Sequence, residues 1–524
     1  MTFLQRWAQR VPDKIACHFP EQGMSLTYRE LDAEADRIAL WLHRIGLRAG
    51  DSIALLMENH PATFALWWGA RRAGLYYTPL NVHLKTSEVA YVLRDCGARV
   101  LVASARTREL ALSLLDQEGQ ESQSGDQPLH VFLLDADAGE PFSLAGALRE
   151  SEGAPPARLP EGLPYGREFL YSSGTTGVPK GIRRPMTPHA ERGQLPEMEL
   201  TFRRIFRYTA DTVYLCPSPL YHATGRFAIR AIEEGGTAVV MEKFDAERAL
   251  ALIEQFRVTH AHWVPTMFVR MLALPADVRA RYDVGSLQVA LHAAAPCPVD
   301  VKQRMIDWWG PVLEEYYGGS ENAGITYLDS REWLAHKGSV GRAIVGKLHI
   351  LDEAGAECQP GETGGIYFSG GPVFSYHNDP AKTATARDTQ GRATYGDLGW
   401  VDADGYLYLS DRRTDLIISG GVNIYPMEVE AALSQHPQVA DAAVVGRPDP
   451  EFGESVVAVV QLRAGTQPSG ALADELMQFC RARLANLKCP RSIVFEPALP
   501  RSEVGKLLRR VLKDRFKAES AQGS

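Results

Sequence analysis

The stretch Tyr171 to Gly181 reads YSSGTTGVPKG. Its glycines leave backbone N–H groups unhindered by a Cβ. Ser172, Ser173, Thr175 and Thr176 add hydroxyl donors, so the loop can wrap an anionic phosphate. Lys180 adds a mobile point charge. A Walker A loop needs G-x-x-x-x-G-K-[ST] with its lysine opening a helix. Here Gly174 and Gly177 are three apart and Lys180 follows Pro179. Val178, preceding that proline, is pushed towards extended geometry. The spacing therefore predicts a strand (REFLYS), a glycine-rich loop and more extended chain, not a phosphate held at a helix start. A glycine-serine surface turn is the bland alternative.

Four other stretches carry reactive residue types. In EYYGGSEN, two aromatics precede a glycine pair, Ser320 and Glu321. The aromatics can stack on a flat base, and Glu321 is a hard oxygen ligand suited to Mg²⁺ beside phosphate oxygens. By itself the stretch is equally a strand end with a surface glutamate. YGDLG places Asp397 in a turn, where a carboxylate can accept two hydroxyls or simply cap the turn. HAAAPCP has side chains small enough to leave room for a flat ligand, or to pack tightly. In PRSEVGKLLRR, Gly505 and Lys506 sit on a turn before a basic helix start. That lysine either reaches a reaction centre or belongs to a solvated basic tail.

Taken together these stretches resemble the AMP-binding signature of the adenylate-forming superfamily: acyl-CoA synthetases, luciferases and peptide-synthetase adenylation domains. The motifs YSSGTTGVPKG, SPLYHATG, HAAAPCP, EYYGGSEN, YGDLGW, DRRTDLIISGGVNIYPMEVE and PRSEVGKLLRR follow that family's order across nearly the whole chain. The resemblance implies that Ser172, Ser173, Gly174, Thr175, Thr176, Gly177 and Lys180 hold the β and γ phosphates of ATP. It assigns Ala294, Ala295, Pro296, Glu315, Tyr316, Tyr317, Gly318 and Ser320 to the nucleotide, Asp397 to the ribose, and Arg412 to ribose and phosphate. The family usually has threonine before its glutamate, and Ser320 keeps the hydroxyl. Glu321 is implied as the Mg²⁺ ligand. Tyr221, His222, Gly225, Trp263, Ala293 and Gly319 are implied to line the acyl pocket, and Gly420 and Gly421 the path of coenzyme A. Lys506 is the adenylation lysine, with Glu321 and Lys180 as the other catalytic groups. The hinge falls on Thr414, where the family usually has aspartate or lysine.

The implied reaction has two halves. A carboxylate attacks the α-phosphate of ATP and expels pyrophosphate, and the acyl-adenylate then passes its acyl group to CoA. The expected enzyme is an acid–thiol ligase with ATP, Mg²⁺ and CoA, resembling bacterial fatty-acyl-CoA synthetases. Tyr221, His222, Phe227, Trp263, Met267, Phe268 and Ala293 to Ala295 suggest an uncharged, apolar or aromatic acid. Between Pro217 and Ile229 there is no acidic residue of the kind amino-acid-activating relatives keep for the substrate amine. Two other readings are an enzyme that loads a separate carrier protein's phosphopantetheine, and a non-enzymatic nucleotide-binding protein.

The elements that must position these residues follow from length and pattern. At 524 residues, two or more domains are expected. Hydrophobic content of 45% and charged content of 23% are ordinary globular values, and the net charge of −8 argues against a nucleic-acid or anionic-membrane partner. Seven dispersed cysteines without a C-x-x-C pair read as thiols of a reducing compartment. With no signal peptide and no apolar run of membrane length, a cytoplasmic protein is expected; the oligomeric state is open. Thr27 and Glu30 have capping-box spacing, and Leu31, Ala35, Ile38, Leu42 and Ile45 make one helical face stopped by Gly46. SIALLM and ARVLVAS suit buried strands. The polar run 117–128 reads as an exposed loop. The expected fold is α/β. A large N-terminal domain (1–411) combines layered α/β subdomains with a hairpin-rich portion, and a smaller, mobile C-terminal α+β domain (412–524) follows.

Overall fold

The face of Leu31, Ala35, Ile38 and Leu42 is buried along the helix Tyr28–Arg44 in a computed structural model of the chain. The capping box closes its start: Glu30 N–H donates to Thr27 Oγ1 at 3.2 Å and Thr27 N–H to Glu30 Oε2 at 2.8 Å. Gly46, at φ 94°, ends it in the left-handed region. The structure describes residues 1–121, 128–152, 158–172, 179–412, 415–419, 422–449, 452–484, 486–502 and 507–522. They divide into two units.

The first unit takes Met1–Trp263, Arg270–Leu291 and Val373–Ala384. One of its sheets runs His130–Leu133, Ala98–Ala103, Ser52–Leu56, Tyr76–Pro79, Arg167–Ser172 and Lys180–Arg183. Its neighbours are parallel except the last pair. Ser52–Leu56 is buried at every position, as a continuous apolar run in a covered parallel sheet requires. A second group orders His260–Trp263, Val213–Cys216, Thr237–Val240, Ile15–Phe19 and Met24–Thr27, antiparallel only at its last pair. One expectation is corrected. Residues 117–121 of the polar run are not loop but the end of the helix Arg108–Glu121. Glutamine and glutamate propagate a helix well once it is nucleated, whatever their polarity.

The second unit takes Val264–Val269, His292–Pro372 and Thr385–Ser524. Its ladders are antiparallel at Leu313–Tyr317, Ile325–Asp329 and Arg342–Val345. A four-stranded sheet of Lys347–Leu351, Gly364–Ser369, Ala393–Val401 and Leu407–Arg412 follows, and its last two strands form the hairpin that the alternating, turn-rich run 395–413 indicates. Towards the C-terminus, Val439–Asp449 and Gly453–Leu462 pair over a core of Ile417, Val429, Leu433, Val444, Ala458 and Leu476. The helices Pro426–Ser434 and Gly470–Arg481 supply three of those side chains. This is the helix and strand set expected there.

Candidate active site

In the first unit, Ser172 pairs with Lys180 across the antiparallel strands Arg167–Ser172 and Lys180–Arg183. A hairpin base thus brackets the glycine-rich loop, as the proline spacing predicted. Ser173, Gly174, Thr175, Thr176 and Gly177 lie outside the described residues. Lys180 Nζ sits 5.2 Å from the centroid of the Tyr376 ring, a cation–π distance. The segment of Tyr376 is laced to the hairpin, with His377 N–H donating to Gly181 O at 2.8 Å and a bridge from Ile182 to Tyr376. The Tyr171 hydroxyl and Asn378 Nδ2 both donate to the Asp95 carboxylate. Lys180 therefore projects from a braced element.

Tyr221 and His222 stand half-buried after the strand Val213–Cys216, with ring centroids 4.7 Å apart. Burial pushes the His222 imidazole down to about 4, so it is neutral at physiological pH. Gly225 precedes the helix Arg226–Glu233, where an added Cβ would fall 2.6 Å from Leu220 Cα. Trp263 and Phe227 are fully interior, and Phe227 meets His262 edge-on at 4.5 Å. Of the aromatics read as acyl-lining in this unit, Tyr221 and His222 keep some exposure, while Phe227 and Trp263 do not. Asn59 went unnoticed in the sequence, where ENHP gives no signal. Its Oδ1 accepts Leu220 N–H at 2.6 Å, while Nδ2 donates to Ser218 O at 3.1 Å and Met241 O at 2.7 Å. It fixes the turn that carries Tyr221 and His222.

In the second unit, the strand Leu313–Tyr317 ends in the turn Gly318 to Asn322, closed by Asn322 N–H to Gly319 O at 3.0 Å. The Tyr317 hydroxyl donates to Asp397 Oδ2 at 2.6 Å. Tyr395 lies edge-on to Tyr317 at 5.7 Å, and its hydroxyl donates to Gly324 O at 2.8 Å. A Cβ at Gly319 would come within 2.6 Å of both Glu321 Oε2 and the Tyr395 ring, so only glycine fits. Tyr316, Ser320 and Glu321 are half-buried beside it and Gly318 is exposed. Asp397 corrects an expectation: it is not in a turn but inside the strand Ala393–Val401, opposite Arg412. Gly396 at φ 81° and a register shift after Leu398 deform that strand, and the glycine mimics a turn signal in the sequence.

Glu315 was expected among the nucleotide contacts. Its carboxylate is buried and accepts from Lys302 Nζ at 2.6 Å. Burial pushes the Glu315 carboxyl up, against the pull of Lys302. Ala293 is buried, Ala294 and Pro296 are exposed, and Ala295 is intermediate. Ala294 holds φ 75°, a left-handed conformation costly for a residue with a Cβ. Strain of that kind collects where a backbone is shaped for a ligand. Lys506, Thr414, Gly420 and Gly421 lie outside the described residues.

The profile of the AMP-binding enzyme family matches residues 4–376, and that of the AMP-binding enzyme C-terminal domain matches 428–506. The chain is 35% identical over 505 residues to feruloyl-CoA synthase of Amycolatopsis sp, covering 94% of each. It is 31% identical to the long-chain-fatty-acid–CoA ligase of Bacillus subtilis, covering 96% of this chain and 92% of that one. The solved o-succinylbenzoate CoA synthetase of Bacillus subtilis, in complex with its acyl-adenylate intermediate OSB-AMP, superposes with a TM-score of 0.79 at 27% identity over 98% of both chains. The chain belongs to the AMP-binding enzyme family, the adenylate-forming enzymes, in the branch of AMP-forming acid–CoA ligases. Among the described residues no helix is long and apolar enough to cross a membrane.

Proposed function

We propose that the protein activates an apolar carboxylic acid, aryl or fatty, with ATP, releasing pyrophosphate, and transfers the acyl group from the adenylate to coenzyme A. The observation that carries this reading is the Tyr317–Asp397 hydrogen bond. It presents a carboxylate beside two aromatic rings and a glycine turn, which suits a ribose and its base. Asp397 takes the ribose hydroxyls, with Arg412 opposite it on the neighbouring strand. The proposed work of Lys180 is to offset charge on the departing pyrophosphate, and that of Lys506 to sit between the attacking carboxylate and the α-phosphate. Glu321 would hold Mg²⁺. A single half-exposed carboxylate fits an ion that keeps waters and phosphate oxygens as its other ligands. When bound, the ion supplies charge neutralisation at the phosphates.

His222 is neutral and Tyr221 aromatic, which favours an uncharged acyl group. The aryl-acid and fatty-acid ligases among the relatives support the same class. We further propose that residues 412–524 act as the smaller domain, turning near Thr414 to exchange Lys506 for the 419–426 segment during thiolysis, and that the enzyme works in the cytoplasm. The test is CoA-dependent AMP release over a panel of carboxylic acids. Turnover of cinnamic-type or medium- to long-chain fatty acids is expected. Turnover only of acetate or of an amino acid would overturn the substrate class.

A further inference from the structure

Lys302 and Glu315 form an ion pair sealed from water: Lys302 is 0% exposed and Glu315 4%. Lys302 stands on the helix Val299–Trp309, which follows the 293–298 loop, and its Nζ also lies 5.1 Å from the centroid of the Trp333 ring. The ammonium is thus fixed by a carboxylate and an indole. Glu315 is two residues before Tyr317, whose hydroxyl holds Asp397. A buried pair of this kind is a poor source of stability, because desolvating two charges offsets most of their attraction, and apolar residues of similar volume commonly serve as well. What such a pair can supply is position.

We infer that Lys302 and Glu315 are positioning residues for the nucleotide. They lock the end of the strand Leu313–Tyr317 to the helix that follows the 293–298 loop, and so set the Tyr317–Asp397 contact. This rests on the nucleotide reading of Tyr317 and Asp397. It gives the Glu315 carboxylate a role without direct ligand contact.

The test separates position from stability. Lys302→Met and Glu315→Gln each leave one buried charge without its partner, and both lower the melting temperature. The double variant Lys302→Met, Glu315→Met removes both charges and recovers most of that loss. The expected signature is in the double variant's kinetics and in calorimetric binding of AMP to the whole protein. AMP affinity and KM for ATP weaken by about ten-fold, in line with the sensitivity of reactive geometry to small displacements. The KM values for acid and CoA stay within about two-fold, on the same reasoning. Wild-type ATP and AMP parameters in a folded double variant would overturn the positioning role alone. Failure of the wild-type protein to bind AMP would overturn the nucleotide reading, and the inference with it.

Discussion

Bringing a carboxylate anion to a polyphosphate anion makes charge repulsion the main obstacle to adenylation, so the position of each cation matters more than any nucleophile. Lys506 is expected to serve that step and to be dispensable afterwards. Lys506→Ala should abolish adenylate formation and largely spare thiolysis of a supplied acyl-adenylate. ATP–pyrophosphate exchange at a near-normal rate in that variant would refute the role. Lys180 is proposed as the supporting charge, and its Nζ lies over the Tyr376 ring. The motifs named Asp397 and the aromatic pair by type and spacing, and the structure joins Tyr317 to Asp397 by a hydrogen bond. What each carboxylate does was less legible. Glu315 looked like its motif neighbours, yet its oxygen is taken by Lys302, thirteen residues away on another element. Charge partners set by tertiary packing leave no local spacing to read.

At the scale of elements, the periodic, capping and proline signals held, and one glycine and one polar run misled. The helix Tyr28–Arg44, the strand Ser52–Leu56 and the hairpin about the glycine-rich loop formed where apolar period, caps and proline indicated. The misread pieces, 117–121 and Asp397, were those where polarity or a glycine stood in for geometry. Asn59 left no signal at all, because its three partners, at 218, 220 and 241, are distant in sequence and follow two other strands. Those contacts define a prediction for the element they hold. Asn59→Ala strands a buried N–H and two carbonyls and should cost about 2–3 kcal/mol, roughly one per lost hydrogen bond. It should also raise KM for the acid more than KM for ATP, since the turn it pins carries Tyr221 and His222. Equal effects on both KM values, read from initial rates, would reduce Asn59 to a purely structural residue.

Over the whole molecule, the first unit keeps two histidines in its interior in the neutral state. His260 is 3% exposed and His262 1%. Burial pushes His260 down to about 4, although its Nε2 is within 2.8 Å of Phe206 O. Burial and the nearby Arg230 push His262 down to about 3. In the unfolded chain both return to their ordinary value near 6.5. The folded state therefore binds fewer protons than the unfolded state between that value and about pH 4. Their stabilising contribution is complete above pH 6.5 and is lost as the pH falls through this window. Each histidine should cost about 1.4 kcal/mol per pH unit there, and the pair about twice that. The cleanest range lies above pH 5, before most carboxylates titrate. Chemical denaturation at steps from pH 7.5 to 5 should show unfolding free energy level at first and then falling steeply. His222, held down to about 4 by burial, titrates in the same window, so in His262→Leu, packed against Phe227 like the original ring, the slope should drop by about a third. A wild-type unfolding free energy that stayed flat to pH 5 would mean that neither imidazole is held neutral by the fold.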